Sequence, residues 1–242
     1  MAATVAGTRL TERHRTAQLA LRALVLRQVM EIWPAFDIED AARSWPPVEA
    51  ALLAVVGERR AVSASLAAGY FEAFRTAERA GGIAMPVLEA FDEGAVARAR
   101  TSLQVTGYVT TERLRALKHP DPARVALVRL SGAVTRHVLD GGRDTLLASV
   151  RSDRRALGWA RATSGDPCSF CAMLASRGPV YSERAGNFQA HDHCACNLEP
   201  VYRHDQGWPA GSRDLQQLWR DTTGGLSGAE ARRVFRAAIS RS

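Results

Sequence analysis

The sequence predicts a mainly α-helical protein with long N-terminal helices and a small C-terminal α+β subdomain. Two observations predict this class. In the first 156 residues, Ala, Leu, Val and Arg dominate, and apolar residues recur three and four positions apart. By contrast, all four cysteines lie within residues 168–196, between short segments rich in β-branched or aromatic residues. With 46% hydrophobic residues in 242, the chain can bury a sizeable core.

The first two helices are expected to be long. Apolar residues follow helical spacing from Thr11 to Trp33, and Pro34 should end this helix because its ring clashes with the preceding turn. The Pro46–Pro47 pair should open the second helix, since proline is tolerated in a first turn. That helix should reach the Gly81–Gly82 pair and measure about 50 Å, at about 1.5 Å per residue. Within it, Gly57 is the point most prone to a break.

The middle of the chain is expected to form shorter helices. The segments "MPVLEAF" at 85–91 and "GAVARARTSLQVTGYVTTERLRAL" at 94–117 both read as helical. Pro122 follows a turn and should open a helix that runs to Leu139. The "DGG" at 140–142 should end that helix, and another should follow over 143–156.

Short strand-like pieces surround the cysteines. They are "GWARATSG" at 158–165, "PVYSE" at 179–183 and "NLEPVYR" at 197–203. A short helix is expected at 214–220, and Ser227 and Glu230 have the spacing of a capping box that starts a last helix. The sequence thus divides into a long-helix region (1–82), a helical body (83–156), a β-rich Cys/His knob (157–203) and a C-terminal helical tail (204–242).

The chain is strongly basic, with a net charge of +7 and a pI near 9.9. Lys118 is its single lysine, a bias that a GC-rich genome explains. The net positive charge still favours an acidic or nucleic-acid partner. Candidate DNA-binding residues are the arginines of the tail, namely Arg232, Arg233, Arg236 and Arg241. No apolar run has membrane-spanning length and no secretory signal is evident, so a cytosol-like compartment is expected.

The cysteines have the spacing of metal ligands. A C-x-x-C pair presents two thiolates to one point, and a later H-x-x-C-x-C group can complete a tetrahedral zinc site. Alternatives are two disulfides, which would also use all four cysteines, or free buried thiols. The candidate ligands, called the Cys/His cluster below, are Cys168, Cys171, His191, Cys194 and Cys196.

Five candidates for four positions leave one spare. We prefer His191 to His193 because H-x-x-C places a turn between two ligands, whereas adjacent residues rarely point the same way. Cys196 competes for the fourth position. The surplus of ligands favours a closed structural site over a catalytic one, which would keep a position open for water.

Signatures of other chemistry are missing. The sequence has no P-loop, no G-x-G-x-x-G, no H-E-x-x-H and no G-x-S-x-G. A Cys nucleophile would need a base and an oxyanion hole, and no oxyanion loop is recognisable. Both Ser131 and His137 read as helix residues without a catalytic role.

The cysteine-rich segment resembles the C-terminal motif of MuF-like phage minor head proteins. The resemblance covers "WARATSGDPCSFCAMLASRGPVY" and the following F-x-x-H-x-x-C-x-C, about a sixth of the chain. The matching positions are Trp159, Gly165, Cys168, Cys171, Tyr181, His191, Cys194 and Cys196.

The resemblance implies a head morphogenesis protein and not an enzyme. It places the protein inside the virion near the portal vertex, after assembly in the host cytoplasm. Portal and capsid proteins and packaged DNA are the implied partners, with no membrane. The alternative that it leaves open is a capsid maturation protease, but the sequence shows no Ser/His/Asp or Ser/Lys arrangement to support one.

Overall fold

Helices make up most of the computed structural model, which describes residues 2, 4–163, 167–179, 181–182, 188–204, 206–209 and 211–240. The mainly α class with a small C-terminal α+β part is confirmed. The helices are α1 (Val5–Ile32), α2 (Ala41–Ala77), α3 (Glu93–Gln104), α4 (Thr110–Ala116), α5 (Pro122–Ser152), α6 (Ser169–Ala175), α7 (Ser212–Thr223) and α8 (Gly228–Ile239). The strands are β1 (Gly158–Ala162), β2 (Tyr181–Ser182) and β3 (Asn197–Val201).

The core lies between α1, α2 and α5. Each helix contributes a stripe of apolar side chains that packs against the other two helices and is thereby removed from water. The apolar stripe of α1 is therefore covered within the chain. Buried members include Leu21, Val25 and Val29 of α1, Val48, Leu52 and Val56 of α2, and Leu130, Val134 and Val138 of α5.

Proline explains where α1 ends but not where α2 begins. As predicted, α1 ends just before Pro34. The second helix, however, begins at Ala41, ahead of the Pro46–Pro47 pair, and passes Gly57 without a break. The two prolines cost two backbone hydrogen bonds. They and the carbonyl-bearing residues one turn earlier are exposed, so water can satisfy the freed carbonyl groups.

The segment 85–91 is not a helix, contrary to the prediction. Its backbone bonds to hydroxyl groups of α5 instead of to itself. The Val87 amide donates to Oγ of Ser149 at 2.9 Å, and the Glu89 amide to Oγ1 of Thr145 at 3.5 Å. The following helical segment was predicted correctly and forms α3, a π-helical turn over Val105–Val109, and α4.

The third core helix, α5, runs through the glycines that were expected to end it. A Cβ on Gly141 would lie 2.4 Å from the Arg60 carbonyl oxygen, and one on Gly142 would lie 2.8 Å from both Oγ of Ser63 and Nε2 of Gln18. The Gly142 amide also donates to Oγ of Ser63 at 3.0 Å. The two glycines therefore serve close packing of α1 and α2 on α5 and do not act as a stop signal.

A three-stranded antiparallel sheet in the order β2-β1-β3 closes the end of the helical body. Strand β1 pairs with β3 from Gly158↔Val201 to Ala162↔Asn197, and with β2 through Gly158↔Ser182. All residues of β1 and β3 are buried. Their apolar side chains pack with the ends of α2 and α5, including Trp159, Leu198, Phe71, Phe74 and Leu146.

The tail helices α7 and α8 pack on each other and on α6. The rings of Trp219 and Phe235 lie 4.9 Å apart between them. Ser227 precedes α8 as predicted, but its side chain makes no capping hydrogen bond. Among the described residues, no helix is both long and apolar enough to span a bilayer. The boundaries of the four-segment division remain a prediction.

Candidate metal centre

The first pair of cysteines is placed by the start of α6. Cys168 is the residue before the helix, and its sulfur accepts a hydrogen bond from the Cys171 amide at 3.5 Å. This capping contact holds the Cys168 side chain over the first turn, where Cys171 also lies. Both sulfurs of the C-x-x-C pair therefore face the same point.

The second group lies on the turn that leads into β3. The Cys194 amide donates to the His191 carbonyl at 3.1 Å, which closes this turn. Cys196 directly precedes the first residue of β3, Asn197, and is fixed by the strand. The sheet thereby presents the H-x-x-C-x-C group to the start of α6.

The distances bring all five residues of the Cys/His cluster together. Nε2 of His191 lies 2.7 Å from the sulfur of Cys168 and 3.6 Å from that of Cys171. The sulfurs of Cys171 and Cys194 are 3.4 Å apart. Ligand atoms of Cys168, Cys171 and His191 lie within 4.8 Å of one another, as do those of Cys171, Cys194 and Cys196. Cys171 belongs to both groups and is the centre of the cluster.

The cluster is buried on one side and open on the other. Cys171, Cys194 and Cys196 are 1%, 4% and 3% exposed, whereas Cys168 lies at the surface. All four cysteines are free thiols in the structure. Four thiols and an imidazole form a soft donor set, in which each of the two groups of three could hold a metal ion.

The imidazole of His193 lies outside the cluster. Its residue has a left-handed backbone with φ of 66°, which turns the side chain toward α5. There its ring packs against Gly132, where a Cβ would come within 2.5 Å of Nε2. His191 instead directs Nδ1 at the Asp192 carbonyl, 2.6 Å away, which leaves Nε2 for the cysteines. This is the arrangement that metal-binding histidines adopt.

Two buried arginines hold the backbone around the cluster. From α5, Arg143 donates to the Cys196 carbonyl at 3.0 Å and to the Cys194 carbonyl at 2.6 Å. From β1, Arg161 donates to the Gln189 carbonyl at 2.7 Å. Both guanidinium groups also lie over the ring of Phe188, at 5.5 and 3.7 Å from its centroid. The cluster therefore sits in a rigid shell that joins α5 to the sheet.

The shell also affects the ionisation of the thiols. Hydrogen bonds from Cys171 and Cys196, together with the nearby charge of Arg143, lower the pKa of the Cys194 thiol, and the same hydrogen bond raises the pKa of the Cys171 thiol. A thiolate is the form of cysteine that binds metals. The protein thus favours the ligand form of at least one buried cysteine.

Sequence reasoning missed Arg143, Arg161 and Phe188. In so arginine-rich a chain, no local signal marks which arginines are buried. The only available signal was the position of Arg143, directly after a glycine pair.

The other candidate site residues are not brought to the cluster. The arginines of the tail lie along the exposed face of α8, and Arg241 lies outside the described residues, as does Gly165 of the motif. Ser131 and His137 are buried in α5. Burial, and then the charge of Arg136, lower the pKa of His137 to about 4, and its carbonyl accepts a hydrogen bond from Arg60. His137 is therefore a neutral core residue.

Comparison with known proteins places this architecture in a family. A family model described as the VG15 protein matches residues 7–221. The chain belongs to the VG15 family. The matched region includes the helical core, the sheet and every residue of the Cys/His cluster.

A curated relative supports the same origin. The Gene 15 protein of Mycobacterium phage D29 is 29% identical over 132 residues, which are 52% of this chain and 45% of that protein. The chain thus aligns with less than half the length of this relative. No solved structure matches the chain. The family and the relative support a bacteriophage protein, and neither names a MuF-like minor head protein, so that resemblance remains a hypothesis.

Proposed function

We propose that this member of the VG15 family is a phage head morphogenesis protein that acts inside the head near the portal vertex. The proposal rests on the geometric arrangement of the Cys/His cluster. Two sulfurs converge on one nitrogen of His191, inside a shell held by Arg143 and Arg161. Such an arrangement suits a structural cross-link by a metal ion, because two thiols share one imidazole nitrogen.

The metal proposed for this cluster is zinc, held by Cys168, Cys171, His191 and Cys194, which are drawn from two groups of ligand atoms that share Cys171. A tetrahedral zinc ion with thiolate and imidazole ligands would separate its donor atoms by about 3.6–3.8 Å. The observed distances of 3.4 Å for Cys171–Cys194 and 3.6 Å for Cys171–His191 are close to this range. The 2.7 Å contact of Cys168 with His191 is shorter, and the exposed Cys168 side chain has room to rotate outward.

The role proposed for this zinc is structural. A bound zinc ion would supply four strong ligand bonds and fold the knob onto the helical body. The protein's own residues already support such a site, because Arg143 fixes both cysteines of the second group through their carbonyl groups. Cys196 is the spare candidate and is buried beside the other thiols.

Portal and capsid proteins are the proposed partners, with packaged DNA as a neighbour. The net charge of +7 supports a place beside DNA. Docking through the apolar stripe of α1 is not supported, since Leu21, Val25 and Val29 are covered by α2 and α5. Contacts with the portal would have to use the outer faces of the helices.

The location is tested by mass spectrometry of purified heads and by a phage that lacks the gene. We expect the protein in isolated heads at low copy number, and malformed or empty heads without it. Normal heads from the deletion phage, with the protein absent from wild-type heads, would contradict the proposal.

A capsid maturation protease is the second candidate function. The observation that favours it is the 2.7 Å contact between the exposed Cys168 and His191, whose Nδ1 is oriented by the Asp192 carbonyl. A cysteine nucleophile with its base has this geometry. The sulfur of Cys171 also lies 3.6 Å from Nε2 of His191, and two thiols beside one nitrogen favour a metal site over a catalytic pair.

The variant Cys168→His separates the two functions. Histidine can still bind zinc but cannot act as a thiol nucleophile. A head morphogenesis protein should keep its fold and leave the capsid proteins processed as before. A folded C168H protein that abolishes capsid-protein cleavage would instead identify a protease.

A further inference from the structure

A basic cleft lies on the face of the molecule where three elements end. It has a volume of about 490 Å³ and opens to solvent. Its lining comes from the residues just before α1, just after α2, just after α5 and just after β3. The cleft is separate from the Cys/His cluster and shares no lining residue with it.

The charge of this cleft is strongly positive. Four of its lining residues are arginines, namely Arg79, Arg154, Arg155 and Arg203, against the single carboxylate of Glu78. That carboxylate is buried and turned toward Thr4, whose amide and hydroxyl donate to Oε1 at 3.1 and 2.8 Å.

Three of these arginines have no acidic partner among the residues that the structure describes. Other arginines of the chain pair with carboxylates, as buried Arg143 does with Asp140 at 2.8 Å. Within the part of the chain that the structure describes, Arg79, Arg154 and Arg155 are exposed and form no ion pair. Their guanidinium groups are available to an external anion.

The base of the cleft is rigid. The turn that carries Arg154 and Arg155 is anchored by Asp153, which is 2% exposed and accepts the Arg155 amide at 3.0 Å. Asp153 in turn pairs with Nε of Arg75 at 2.8 Å, and Arg75 also donates to the Gly82 carbonyl at 2.8 Å. The ends of α2 and α5 are therefore fixed to each other, which fixes the backbone from which Arg154 and Arg155 project.

We propose that this cleft binds the phosphate backbone of a nucleic acid. Guanidinium groups match phosphate oxygens with two parallel hydrogen bonds, and several converging on one groove favour a chain of phosphates over a single carboxylate. The cleft opens to solvent, so a phosphate backbone can reach its arginines from outside. The inference rests on the proposed function only in its choice of nucleic acid as the occupant.

The cleft is a better phosphate site than the tail helix. On α8, Arg232 and Arg236 lie on an exposed convex face, and Arg233 lies 3.9 Å from Glu230. A convex face contacts a strand along one line, whereas a cleft surrounds it and excludes more water. We therefore expect the cleft to supply most of the affinity for nucleic acid.

Two matched triple variants test the proposal, each removing three positive charges. The cleft variant is R79Q/R154Q/R155Q and the control is R232Q/R233Q/R236Q. Fluorescence anisotropy with labelled single-stranded and duplex oligonucleotides measures binding from about 50 to about 200 mM salt. Unchanged melting temperatures show that both variants fold, as expected for exposed side chains.

The cleft variant should bind at least about tenfold more weakly. Its log–log salt slope should be lower by about 2 to 3, since each phosphate that the protein neutralises adds about 0.9 to the slope. The control, on the tail helix, should lose clearly less affinity than the cleft variant. Parent-like binding by the cleft variant would overturn the proposal, as would equal binding of polyglutamate or a cleft-dependent preference for anionic lipid vesicles. Because this assay uses purified protein, its failure is distinct from an absence of the protein from phage heads.

Discussion

The sulfur of Cys168 lies 2.7 Å from Nε2 of His191, although 23 residues separate the two in the chain. One residue caps α6 and the other begins the turn that leads to β3. Their contact shows that the fold, and not the local sequence, completes the Cys/His cluster. A metal bound there would join the sheet and α6 at one point, so its loss should loosen the knob and spare the long helices.

Replacement of single cysteines should show whether Cys194 or Cys196 is the fourth ligand. Cys194→Ser should reduce bound zinc to well under half per chain, because the Cys194 sulfur lies 3.4 Å from the central Cys171 and has the thiolate-favouring environment. Cys196→Ser is the matched control and should keep about one zinc per chain. Metal analysis after gel filtration measures both. The reverse pattern would assign Cys196 as the ligand.

Loss of the Arg143 side chain should destabilise the protein and lower its affinity for the metal. Arg143 is 2% exposed, pairs with Asp140 and holds the carbonyl groups of Cys194 and Cys196. We expect Arg143→Met to lower the free energy of unfolding by about 2–4 kcal/mol and zinc affinity by about 10- to 100-fold. Arg154→Met, at an exposed site, should stay within about 0.5 kcal/mol of the parent protein. Equal stability of the two variants in urea denaturation would refute this role.

Two glycine-to-alanine changes should have opposite effects. A Cβ at Gly141 would lie 2.4 Å from the Arg60 carbonyl oxygen, so Gly141→Ala must push α2 away from α5 and should cost about 1–3 kcal/mol. A Cβ at Gly69, also helical, would meet nothing within 4 Å. Gly69→Ala should therefore be neutral or stabilise by up to about 1 kcal/mol. Thermal unfolding of the two variants measures the difference, and similar shifts would show that the helices are not in close contact at Gly141.

The buried carboxyl of Glu199 should make stability depend on pH. Burial raises its pKa to about 7, while Thr11 donates to it at 2.8 Å. A raised folded-state pKa means that the folded protein holds a proton that the unfolded chain has released, so this contribution is lost as pH rises through 7.

The variant Glu199→Gln removes that titration. From pH 6 to pH 8, the free energy of unfolding of the parent protein should fall by about 1 kcal/mol relative to E199Q. Burial lowers the pKa of His14 and of His137 to about 4, but both proteins share these residues and their effect cancels. A constant difference across this range would show that Glu199 titrates normally.

Local chemistry made part of the structure predictable. Pro34 ends α1 and Pro122 opens α5, because proline constrains its own backbone whatever surrounds it. The C-x-x-C and H-x-x-C-x-C spacings identified the residues of the cluster because a short turn fixes their geometry. These features depend on a few neighbouring residues only.

Features that depend on tertiary contacts were not predictable. The Gly141–Gly142 pair looks like a helix stop until the close approach of α2 is seen. Segment 85–91 has the composition of a helix, but the hydroxyl groups of Ser149 and Thr145 bind its backbone amides. The role of Arg143 likewise depends on carbonyl groups about fifty residues away, for which the sequence carries no local sign.

The metal content of the purified, full-length chain tests the central claim most directly. Inductively coupled plasma mass spectrometry of protein prepared without added metal or chelator gives the number of ions per chain. The structure of the Cys/His cluster predicts about one zinc per chain. A chain that contains no metal, folds fully and carries a disulfide between Cys171 and Cys194 would contradict the account.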